Sequence, residues 1–166
     1  MVVGTVRHKL MRRESEARLV AAQTLTAALD TSDSDYLLRL LAFELLLKIA
    51  VELATGSRAP NHHRYDEIFG ALPQSTQADI LRLAGERVGA SALGTDHVAV
   101  LNDLGRNFVH LRYPYEKHGH LTEAQYAAVG ESWIAQGADD TTADFRYHPE
   151  ELLGLTTALQ KLTNGC

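Results

Sequence analysis

The sequence predicts an all-α protein, most simply a helical bundle, and three observations carry that expectation. Apolar residues recur at three- and four-residue intervals through most of the chain. No run of alternating apolar and polar β-branched residues is flanked by turn pairs. Polar N-caps, glycines and prolines punctuate the periodic stretches at helical lengths.

Taken in order, a first helix is expected over 11–29, with Ala17, Ala21, Leu25 and Ala28 on its apolar stripe. The polar run DTSDSD ends it and offers N-caps for the next. A second helix over 33–54 is apolar almost all round, the mark of a central element. Its narrow polar edge is Glu44, Lys48 and Glu52, spaced one turn apart. After TGSRAPN comes a short helix in HRYDEIFGAL, stopped by Gly70 and Pro73. A fourth helix, 76–88, turns Ile80, Ala84 and Val88 inward.

The fifth helix should run from Thr95 to Tyr113, where Pro114 disfavours helical angles in the residue before it. Val98, Leu101, Leu104, Phe108 and Leu111 form its core stripe. TEAQ from Thr122 is a capping box opening a helix to about Gln136. GADDTTADFRY reads as a polar loop, and Pro149 takes the first position of a last helix. Residues 1–166 thus make one domain.

Composition narrows the function. The chain has 166 residues, 45% of them hydrophobic, enough for a core without disulfides. Its single cysteine, Cys166, has no partner within the chain, which fits a reducing compartment. The first residues lack a signal-peptide core, and the longest apolar stretch carries Arg39, Glu44, Lys48 and Glu52. A cytoplasmic protein without a membrane helix is expected. A net charge of −5 argues against general nucleic-acid coating. Positive charge is nevertheless concentrated in RNFVHLRYPYEKHGH, residues 106–120.

Within that segment Asp103, Arg106, Asn107 and His110 follow i, i+3, i+4, i+7 spacing, which places them on one helix face. Metal-free cleavage of RNA needs a proton acceptor, a proton donor and positive charge at the phosphorane. Histidine and arginine supply these, so one chain provides half a site and a two-fold dimer the other half. The same four residues also fit a solvated face with an Asp103–Arg106 ion pair. His118 and His120 invite a metal hypothesis but fall on an expected loop with no ligand spacing. His63 reads as capping or packing, and Trp133 as core or dimer interface. Arg112 and Glu116, bracketing Tyr113 and Tyr115, fit a structural pair or a recognition element equally. No phosphate-binding glycine loop occurs, and no cofactor is expected.

The stretch FELLLKIAVELATGSRAPNHHRYDEIFGALP resembles HEPN domains, in which a central helix carries E-x-x-x-K and a histidine-led helix follows. Glu44 and Lys48 match the first element, and HRYDEIF, residues 63–69, the second. RNFVHLRYPYE is similar to the signature region of that family. The resemblance covers residues 35–116. It implies a HEPN-like bundle of four or five core helices plus shorter ones, dimerising through the signature helices. It further implies a metal-independent endoribonuclease, toxin or defence associated, with a possible nucleotidyltransferase antitoxin as partner. Catalytic roles would fall on Arg106, His110 and Asn107, with Asp103, Arg112, Tyr113 and Glu116 at the substrate. In some toxin members a tyrosine just past the histidine is inactivated by AMP transfer, which points to Tyr113. Only three residues separate Arg106 from His110, fewer than the family usually has. A branch with RYxYE in place of the clean signature is also similar. It implies the alternative, a non-catalytic module binding a nucleotide, RNA or a protein.

Overall fold

A computed structural model describes residues 5–164, and among them every regular element is helical. In chain order these are α1 (Val6–Ala27), α2 (Ser34–Thr55), α3 (Tyr65–Gly70), α4 (Gln74–Val88), α5 (Leu93–His110), α6 (Pro114–His118), α7 (Glu123–Ala135) and α8 (Pro149–Asn164). A single 3-10 turn, Asp140–Thr142, interrupts the polar loop before α8. Cys166 lies outside the described residues.

Helix α2 is the centre. It buries twelve residues, including Leu40, Phe43, Leu46, Leu47 and Ile49, because the apolar side chains leave it no free face. Around it pack α1, α8, α3 and α5, while α4 closes the far side against α8 and α5. The main core joins Phe43, Tyr65, Ile68, Ile80, Leu101, Leu104 and Leu155 from five helices. Where α4 meets α8, Gly154 permits contact that a side chain would block, since a Cβ there would lie 2.5 Å from Val88 Cγ2.

Three expectations need correction. Helix α1 begins at Val6, where Thr5 and His8 form a capping box, and its buried face is His8, Met11, Ser15 and Ala22. Ala17 and Ala28 of the expected stripe are exposed. Apart from Met11, which packs on Ile49 and Leu53 of α2, the buried face carries small and polar residues, so hydrophobic periodicity alone placed the stripe differently. On α5, Val98 is exposed and Val100 is buried in its place. The cause is a kink at Asp96 (φ −151°, ψ 69°), whose side chain accepts from the Ala99 N–H at 3.0 Å and restarts the helix. Finally, α5 stops at His110, not Tyr113, and Pro114 opens the separate helix α6. By contrast, the Thr122 capping box of α7 and the Pro149 start of α8 are both present.

Helix α7 buries no residue. Trp133 on it is half-buried, and its indole N–H donates to the Asp139 carbonyl at 2.9 Å.

On the polar edge of α2, Glu44 and Glu52 are both buried. Glu52 accepts from Arg7, from His8 Nε2 at 2.9 Å and from the Ala59 N–H. His8 Nδ1 in turn accepts from the Thr5 N–H, so both ring nitrogens are used. Burial pushes the Glu52 carboxyl up, but the hydrogen bonds from Arg7, His8 and Ala59 together hold it below its ordinary value. This carboxylate therefore stabilises the fold fully above the ordinary carboxyl range, and the contribution disappears as pH falls through the lower folded value. Glu52→Ala should cost about 2–3 kcal/mol at neutral pH, because His8 is left without its acceptor. Arg7 is half-exposed and adds little to that loss. In urea unfolding, the gap between variant and wild type should narrow on acidification.

Candidate functional site

Helix α5 and the loop leading into α3 enclose an open groove of about 450 Å³. It is lined by Arg106 and His110 from α5, and by His62, His63 and Arg64 from the loop, with Asp66 from the first turn of α3. The loop can lie this close because residue 105 is glycine. A Cβ there would sit 2.5 Å from the His63 carbonyl oxygen and 3.1 Å from the Tyr65 nitrogen.

The four residues expected to share one face divide between two. Arg106 is exposed in the groove and makes no ion pair or hydrogen bond among the described residues. His110 is partly buried beside it. Burial lowers its pKa below the ordinary 6.5, and Lys117 and Arg106 lower it further, against the opposing charge of Asp144. His110 is thus a neutral imidazole at neutral pH, able to accept a proton.

Asp103 and Asn107 face the other way and hold the loop before α8. Asp103 accepts from Arg146 at 3.3 Å and lies 3.0 Å from His148 Nε2, so the expected Asp103–Arg106 pair is replaced. Asn107 is buried, and its amide donates to the Arg146 carbonyl at 2.8 Å and to the Tyr36 hydroxyl at 3.1 Å. That amide is committed to the fold and does not line the groove. Arg106 and Asn107, one position apart, lie about 100° apart around the helix, whereas Asp103 and His110 share nearly one direction about two turns apart, so what divides these two is which neighbouring segment covers each end.

RYPYE is also partly structural. The Arg112 guanidinium lies 4.2 Å from the centre of the Phe108 ring, and its Nε donates to the Phe108 carbonyl at 2.9 Å. It does not pair with Glu116, which is exposed. Tyr113 precedes α6 and is 45% exposed, with its ring against Tyr115 at 6.1 Å. His118 ends α6 rather than sitting in a free loop; its ring stands edge-on to Tyr126 and lies 3.3 Å from Asp144. His120 is exposed on the turn that follows. Among the described residues no three His, Cys, Asp or Glu side chains are grouped to hold a metal ion.

What the sequence reading missed is His63. Its Nδ1 lies 2.8 Å from Glu44 Oε2, while Lys48 Nζ donates to Glu44 Oε1, also at 2.8 Å. Its ring stands edge-on to Phe108 at 5.0 Å. The one available signal was the pairing of a buried-helix carboxylate with a histidine nineteen positions later, which spacing alone does not connect. Asp66 Oδ1 is buried and has no hydrogen-bond partner.

No family model, curated protein or solved structure matches the chain. No described helix is long and apolar enough to cross a membrane.

Gly105→Ala should push the 63–65 segment off α5. The expected loss is about 1–3 kcal/mol in chemical unfolding, as for an overpacked core position, because the clash is with backbone.

Proposed function

We propose that the groove between α5 and the 62–64 loop binds the phosphodiester backbone of RNA and cleaves it without a metal, as a HEPN-like endoribonuclease. The observation that carries this reading is the exposed, unpaired Arg106 beside a neutral His110 in one groove. A guanidinium with no protein partner is placed to bind phosphate oxygens and to offset charge on the phosphorane. The imidazole next to it takes the proton of the 2′-hydroxyl. A HEPN-like bundle, a homodimer joined through α5 and a nucleotidyltransferase antitoxin belong to this reading, as does its toxin or defence setting. Tyr113, exposed beyond the groove helix, is the position such a partner would modify.

A second reading is favoured by the division of the α5 face: with Asn107 committed elsewhere, the module binds a nucleotide or RNA without cutting it. One experiment separates the two. Purified protein with single-stranded RNA in excess EDTA should leave 2′,3′-cyclic phosphate ends, and Arg106→Ala or His110→Ala should each slow this about 100-fold or more. No cleavage by the wild type, with RNA binding lost in Arg106→Ala but kept in His110→Ala, would establish the binding module.

The rate should also report the His110 environment. Because its pKa lies below the ordinary 6.5, neutral imidazole persists into mildly acidic solution. Activity should therefore hold as pH drops through the usual histidine range and fall only at the lower value.

A further inference from the structure

We infer that His63, held by Glu44, is a second catalytic residue of this groove, the general acid that protonates the leaving 5′-oxygen opposite His110 as the base. The inference rests on the ribonuclease reading and removes its need for a partner's histidine: one chain carries both proton-transfer groups.

The geometry fixes the tautomer. A carboxylate only accepts, so the 2.8 Å contact to Glu44 places a proton on His63 Nδ1 and leaves Nε2 at the opposite side of the ring. His63 lines the groove with Arg106 and His110, and its side chain is 40% exposed, so the ring has an open side. Three contacts hold it: Glu44 at Nδ1, the Phe108 ring at 5.0 Å, and its own backbone against Gly105. Glu44 is buried, and Lys48 occupies its other oxygen, so the carboxylate cannot swing away. A histidine oriented by a buried carboxylate, with its far nitrogen at a groove, is the arrangement proton transfer requires. The contact also ties the loop to α2, and the 40% exposed side chain on the groove is what takes His63 beyond that structural role.

The step balances within the groove. Neutral His110 takes the 2′-hydroxyl proton as O2′ bonds to phosphorus, with Arg106 at the non-bridging oxygens. The P–O5′ bond breaks, and protonated His63 gives its Nε2 proton to O5′. Products are a 2′,3′-cyclic phosphate and a 5′-hydroxyl. His110 leaves the cycle protonated and His63 neutral, and exchange with water restores both. Glu44 touches no substrate and is a positioning residue.

The test compares RNA with uridine 3′-(4-nitrophenyl phosphate), whose leaving group needs no proton. His63→Ala should slow RNA cleavage by about 100-fold or more yet cleave the nitrophenyl ester at near the wild-type rate. His110→Ala should lose both. Glu44→Gln, which keeps the side chain's shape and one of its two acceptor oxygens and guards against misfolding of the alanine variant, should show a smaller loss confined to RNA. Equal losses on both substrates, or none on RNA, would overturn the role of His63 and leave the ribonuclease reading standing. A wild type inactive on both would overturn that reading and this one with it. Mixing His63→Ala with His110→Ala chains should restore nothing; recovered activity would mean the acid and base come from different chains, against the inference.

Discussion

Two carboxylates buried on one helix organise this protein. Glu44 and Glu52 sit on α2, about two turns apart, in the part of the molecule least able to tolerate a charge without partners. Each takes a partner from outside its helix, and Glu44 also accepts from Lys48 one turn further along α2. Glu52 draws in the start of α1 through Arg7 and His8, and one end of the 56–64 loop through the Ala59 N–H. Glu44 draws in the other end of that loop through His63. Chain that would otherwise be a long surface connection is thus tied at two points to the core.

The candidate groove is a consequence of that tethering. With His63 on Glu44 and its backbone on Gly105, the loop runs alongside α5 and brings His62, His63 and Arg64 opposite Arg106 and His110. On the other side of α5 the loop before α8 takes up Asp103 and Asn107, and Tyr36 closes that contact by donating to the Tyr147 carbonyl at 2.7 Å. The helix is consequently gripped on one flank by polar contacts and open on the other. Of the basic groups on that open flank, Arg64 and His62 lie against Glu67 and His63 against Glu44, so Arg106 is the cation there without an ion pair among the described residues.

Much of the fold was legible in the chain. The extents of α2, α7 and α8, the Thr122 cap and the Pro149 start follow from local rules, since caps, prolines and apolar periodicity act within a few residues. Of the site, Arg106 and His110 were legible as a polar pair one turn apart. Asp103 and Asn107 were misplaced onto their face because spacing tells which residues are neighbours on a helix, not which neighbours another segment will cover. Val98 was misplaced for a similar reason: the Asp96 kink shifts the register that periodicity assumes to be continuous.

By itself, then, the sequence determined that the described chain is helical, where most helices start and stop, and that a cationic cluster lies at the end of α5. Those properties depend on propensity, capping and hydrophobic period, all of them short-range. Only the tertiary structure decided that Glu44 and Glu52 on the polar edge of α2 are buried anchors for other segments, and that His63 belongs beside Arg106 and His110. These outcomes depend on contacts between residues nineteen or more positions apart. The strength of such contacts is set by burial, and burial exists only once the helices have packed.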